Sequence, residues 1–190
     1  MIELSAVFFI FLVCFGIIGL LRGWVREVQV TAATVLAMFV IEKIGPWVGQ
    51  VLVDRTPLEM LAIDPLGTLR RLVLLKTVIL LAVVFFGYQG PMVIHFATQG
   101  RVKANRARET IQEGFLGLLF GLINGYLIVG ALWWYMDSGH YPFDWIVSPS
   151  AFPNSISTNM IAYLPLHYLT SPWLEILVVV FFLIVLVVVL

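Results

Sequence analysis

Residues 114–136 read GFLGLLFGLINGYLIVGALWWYM. The stretch carries no charge and exceeds the roughly 20 apolar residues that a helix needs to cross a bilayer. Gly117, Gly121 and Gly125 recur every four residues, so on a helix they share one narrow face. Between lipid-embedded helices there is little hydrophobic drive, and close approach across small residues supplies much of the contact. Trp133, Trp134 and Tyr135 end the stretch with the aromatic character of a helix meeting headgroups. The segment predicts a membrane helix shaped to be packed against.

Composition agrees. Of 190 residues, 61% are hydrophobic and 12% charged, and the mean hydropathy is +1.02. A soluble domain is nearer 45–50% apolar and about 25% charged. The formal net charge of zero argues against a nucleic-acid or polyanion partner. The single cysteine, Cys14, makes no intrachain disulfide, and no Cys or His cluster has metal-site spacing. Ile2–Leu21 lacks a basic leader and reads as a retained helix rather than a signal peptide. No polar stretch is long enough to bury a core of its own.

Working outward, Ile2–Leu21 is a first span, with Gly16, Gly19 and Gly23 forming a small-residue face on its second half. The turn Arg22-Gly23-Trp24-Val25-Arg26-Glu27 follows. A second span has a short apolar part, Val28–Ile41, but Trp24 and Trp47 are 23 residues apart, about 35 Å on a helix, which suits two aromatic belts. Gly45-Pro46 opens a connection to about Thr68, punctuated by Pro57, Asp64, Pro65 and Gly67, with short interfacial helices expected at 51–53 and 58–63. A third span covers about Leu72–Phe96, interrupted by Gly87, Gly90 and Pro91. Residues 137–171 form a long aromatic loop at the membrane interface, and Trp173–Leu190 is a fifth span. The expected fold is an all-α polytopic transmembrane bundle of about five spans. It divides into a four-helix part (1–136), the interfacial loop (137–171) and an added helix (172–190).

Loop cations set orientation. Arg22, Arg26, Arg101, Lys103, Arg106 and Arg108 fall on one side; Lys43, Arg55, Arg70 and Arg71 fall on the other, and 137–171 has none. The reading places the N-terminus outside and the C-terminus inside.

Two motifs carry a resemblance: Gly19-Leu-Leu-Arg-Gly-Trp-Val-Arg-Glu27, and the glycine-spaced run from Gly114 to Gly125. Over about residues 2–136 the chain resembles the colicin V production protein (CvpA) family of small bacterial inner-membrane proteins. The resemblance implies four helices, an inner-membrane location, a link to toxin production or export, and no established catalytic residues. Family members often carry an arginine before the last glycine, where this chain has Asn124.

Each candidate site has two readings. Gly16, Gly19, Gly23, Gly117, Gly121 and Gly125 either dock a partner subunit or pack the chain's own helices. Arg22, Arg26 and Glu27 form either a topogenic turn with a local ion pair or an ion gate. Glu42, Lys43 and Lys76 either snorkel outward or line a polar pathway, since intramembrane charges default to functional hypotheses. His95 is either a structural imidazole or a ligand to a haem or pigment. His140 and His167, with Asp144 between them, and the serines at 148, 150, 155 and 157 show no catalytic or metal spacing. The expectation is a non-enzymatic protein without a predicted cofactor, in contact with membrane lipid and with lipid, quinone or pigment as conceivable companions. It serves as an accessory subunit beside other integral membrane proteins; the alternative is a component of toxin production or secretion, or a small transporter.

Overall fold

A computed structural model describes residues 3–53, 64–89, 106–151 and 155–189, and among these every regular element is helical. Helix α1 (Leu4–Arg22) is apolar around its whole circumference and buries only Ser5, Phe8, Gly16 and Gly19. A helix with no polar face belongs in a core or in lipid. Gly23 ends it at φ 84°, ψ 156°, a region essentially confined to glycine. Helix α2 (Trp24–Val53) then starts immediately, so the reversal takes one residue. The expected six-residue turn is thereby shortened, and Trp24–Glu27 form the first turn of α2.

Helix α2 is the central element, packed against helix α3 (Pro65–Gln89), helix α4 (Arg106–Ser138) and the last helix. Val28, Val30, Thr31, Thr34, Val35, Ala37, Met38 and Ile41 are all buried. Gly45-Pro46 does not open a connection: Pro46 lies inside α2, and the helix continues through the expected interfacial stretch 51–53. Proline forfeits one backbone bond, and the helix continues past it to Val53. Residues 58–63 lie outside the described residues.

The start of α3 corrects a second expectation. Asp64 and Pro65 are a helix start rather than loop punctuation: Asp64 Oδ1 accepts from Gly67 N at 3.0 Å, and the Asp64 carbonyl accepts from Thr68 Oγ1 at 2.6 Å. A capping Asp followed by Pro in the first helical position is a favoured pairing. Gly87 does not interrupt α3 either; a Cβ there would lie 2.7 Å from Ala33 Cβ, so it lets α3 approach α2. Gly90 and Pro91 lie outside the described residues.

Helix α4, of 33 residues, is about 50 Å long and includes Arg106–Glu109, expected as loop. Beyond it the chain folds back through a 3-10 turn (Pro149–Ala151), α5 (Ile156–Met160), another 3-10 turn (Ile161–Tyr163) and α6 (Pro165–Tyr168), ending in α7 (Trp173–Val189). Three helical segments among the described residues are long and apolar enough to cross a membrane: Leu4–Arg22, Trp24–Trp47 and Gln112–Ser138. Trp173–Val187 is a shorter apolar helix.

The main core joins α2, α3, α4 and α7 through residues such as Met38, Leu80, Ile128, Ala131 and Leu174. A smaller one sets Phe8, Trp133 and Leu164 together, tying α1 and α4 to the 137–171 segment. That segment is folded against the bundle: Ser5 N donates to the buried Ser157 Oγ at 3.1 Å, and Tyr126 Oη donates to the Tyr163 carbonyl at 2.6 Å.

Candidate functional site

The glycine faces on α1 and α4 meet each other. A Cβ on Gly19 would lie 2.8 Å from Gly121 Cα, and one on Gly125 would lie 3.2 Å from Leu12 Cα. Gly117 abuts the backbone of Gly19 and Gly23, and Gly121 abuts the carbonyl of Phe15. Gly16 is looser, facing the side chains of Leu118 and Leu122. The face that sequence offers for a partner subunit is thus filled by the chain's own first helix. Gly130 repeats the device against the Pro165 ring.

Beside this contact lies a buried polar cluster. Because α2 begins at Trp24, Glu27 points inward and is fully buried. Its Oε1 accepts from Arg22 Nη1 at 2.8 Å and its Oε2 from Asn124 Nδ2 at 2.8 Å. Asn124 Nδ2 also reaches the Glu27 carbonyl at 3.0 Å, and its Oδ1 accepts from Thr31 Oγ1 at 2.7 Å. Arg22 donates through Nη2 to the Tyr88 carbonyl at 3.1 Å and lies over the Tyr88 ring, 4.4 Å from its centroid. Four helices are joined at one point. The expected Arg22–Glu27 ion pair is present, but inside the bundle rather than on a surface turn, while Arg26 is exposed. Of the other members, the sequence marks Asn124 only as a departure from the family pattern, and does not mark Thr31 or Tyr88 as site residues.

A second polar feature sits toward the opposite end of α2. A cavity of about 560 Å³ lies among α2, α3, α4 and the α6 region. Met38, Ile41, Leu72 and Ile79 give it apolar walls, and Glu42 and Lys76 contribute its charges. The structure brings together two of the three residues predicted for a polar pathway. Lys43, next on the helix and so turned about 100° away, pairs with Glu175 of α7 at 2.7 Å. Lys76 Nζ lies 5.6 Å from the ring centroid of Tyr135, whose buried hydroxyl has no hydrogen-bond partner among the described residues.

The remaining candidates separate. Asp144 pairs with Arg70 at 3.0 Å, and His167 packs edge-on to Trp134 and Tyr168, so neither gathers with His140. Among the described residues no group of three His, Cys, Asp or Glu side chains is placed to hold a metal. Ser155 caps α5 by accepting from Thr158 N, and Ser157 holds α1. Burial pushes the phenol of Tyr141, which accepts from Trp133 Nε1 at 2.9 Å, well above its ordinary value. His95 lies outside the described residues, and Cys14 is exposed on α1.

No curated protein and no solved structure matches the chain. The sequence model described as Colicin V production protein matches residues 4–165. The match covers both glycine-bearing helices and the buried cluster, and runs past Met136 into the segment folded against α1 and α4, as far as residue 165. The chain is a member of the Colicin V production protein family, with membrane-compatible helices.

Proposed function

We propose that this protein is a non-catalytic structural subunit of a larger bacterial inner-membrane assembly that supports toxin production. The observation that carries the reading is the state of Glu27: both of its carboxylate oxygens are engaged, by Arg22 and Asn124. An inward carboxylate held from two sides crosslinks helices; a proton or ion relay needs one whose partners exchange. Together with the glycine contact it gives α1, α2 and α4 a fixed arrangement. Outward, α1 presents Phe9, Ile10, Val13, Ile17 and Leu21, and α7 presents Val179, Phe182 and Val187, all exposed, for lipid and for neighbouring subunits. With the predicted orientation, N-terminus outside and C-terminus inside, α3 and α7 complete five crossings.

The test is extraction from native membranes in mild detergent, with a photo-crosslinker attached at Cys14. The expected result is migration in a large band and a discrete protein adduct. Migration as a small species, with lipid adducts only, would overturn it. A second reading, transport, draws on the meeting of Glu42 and Lys76 in one cavity; it requires that Glu42→Gln or Lys76→Met abolish flux.

A further inference from the structure

The cavity among α2, α3 and α4 combines three features that point to a ligand. Lys76 lines it, is partly buried, and has no carboxylate paired with it among the described residues. Tyr135 also lines it; the residue is 4% exposed, and its hydroxyl has no partner among the described residues. Buried donors of this kind are ordinarily satisfied, and a desolvated ammonium without an anion is costly. The third feature is shape. A volume of about 560 Å³ falls within the usual 300–1,000 Å³ of small-molecule sites.

Location narrows the ligand class. Pro46 and Thr170 both line the cavity, and the exposed Trp47 and Trp173 follow them by one and three residues, so this end of the bundle carries an aromatic belt. Trp134 is in the wall itself. Tryptophans gather at the headgroup level of a membrane, so the polar end of the cavity lies where phosphates lie and the apolar walls run toward the acyl region. Glu42, exposed at the mouth, is the other charged lining residue and is not paired with Lys76.

We propose that this cavity binds a membrane phospholipid. The phosphate accepts hydrogen bonds from the Lys76 ammonium and the Tyr135 hydroxyl, and an acyl chain lies along Met38, Ile41 and Ile79. A neutral quinone would offer acceptors but leave the ammonium uncompensated; free phosphate would leave the apolar walls bare. An ethanolamine head, with its ammonium a few bonds beyond the phosphate, also meets Glu42. The inference stands whether or not the chain docks into an assembly.

The test is native mass spectrometry of the delipidated 190-residue chain titrated with dioleoyl phosphatidylethanolamine, with inorganic phosphate and a short-chain quinone as separate arms. One lipid should bind per chain. Lys76→Met, which is unbranched, one atom shorter and removes a charge that burial opposes, should fold normally and weaken binding by about tenfold or more, as expected for loss of a charge-assisted bond. Tyr135→Phe should weaken it by a smaller factor, and Lys76→Arg should largely restore it. Equal affinity in the wild-type and Lys76→Met proteins overturns the proposal, as does absence of lipid binding. Phosphate binding without lipid binding assigns the site to a free anion and overturns it; so does quinone binding that is tighter than lipid and indifferent to Lys76.

Discussion

Asn124 Nδ2 donates to the Glu27 side chain at 2.8 Å and to the Glu27 carbonyl at 3.0 Å, so one side chain of α4 fastens both the backbone and the charge of the first turn of α2. The pair lies 97 residues apart in sequence. Everything near it is fixed in turn: Arg22 by Glu27, Thr31 by Asn124, and α3 by the Arg22–Tyr88 contact.

Removing one partner should therefore be worse than removing both. Arg22→Met leaves Glu27 buried with its charge half-compensated, and loss of one partner of a buried pair costs about 3–5 kcal/mol. Arg22→Met combined with Glu27→Gln should recover a large part of that loss. Asn124→Ala should cost about 1–3 kcal/mol through unsatisfied buried acceptors. Thermal unfolding in detergent, followed by tryptophan fluorescence, reads Asn124→Ala directly and, with the Glu27→Gln single variant added, closes the Arg22–Glu27 double-mutant cycle.

The glycines divide sharply by position. Gly19→Val and Gly121→Val push a side chain into the facing backbone, where nothing can yield, and each should cost at least about 3 kcal/mol as α1 is pried from α4. Gly45, in mid-helix with nothing within 4 Å of an added Cβ, should behave oppositely, with Gly45→Ala stabilising by about 0.5–1 kcal/mol. The same unfolding assay checks it, and a loss at Gly45 would contradict the geometry.

Gly23 has open space around a Cβ yet sits at φ 84°, so its demand is conformational. Gly23→Ala should cost about 1–3 kcal/mol. A β-branched residue tolerates positive φ worst, so Gly23→Val should cost more than Gly23→Ala although no neighbour lies within 4 Å of the added Cβ.

Arg70 donates to both Asp144 and the Pro142 carbonyl, binding the loop after α4 to α3. Asp144 is almost fully exposed, so Asp144→Asn should change stability by less than about 1 kcal/mol. Arg70→Ala also frees the carbonyl and should expose residues 140–146 to protease; limited proteolysis separates the two variants.

The sequence by itself determined the helical class, the family and the glycine faces, because apolar length and four-residue spacing are local properties that survive any packing. It also marked Arg22, Glu27, Glu42 and Lys76 as charges in unusual places. It misjudged Asp64-Pro65 and Gly45-Pro46, since the same residues punctuate loops and begin or interrupt helices, and only neighbouring contacts decide which. Whether a glycine face holds a foreign subunit or the chain's own helix is likewise invisible locally; the tertiary structure decided it by bringing Gly19 onto Gly121. So too with Asn124, which reads as one amide in an apolar run. It becomes the partner of Glu27 only when two helices far apart in sequence pack so that their side chains come within 3 Å, because a buried carboxylate must find donors wherever the fold places them.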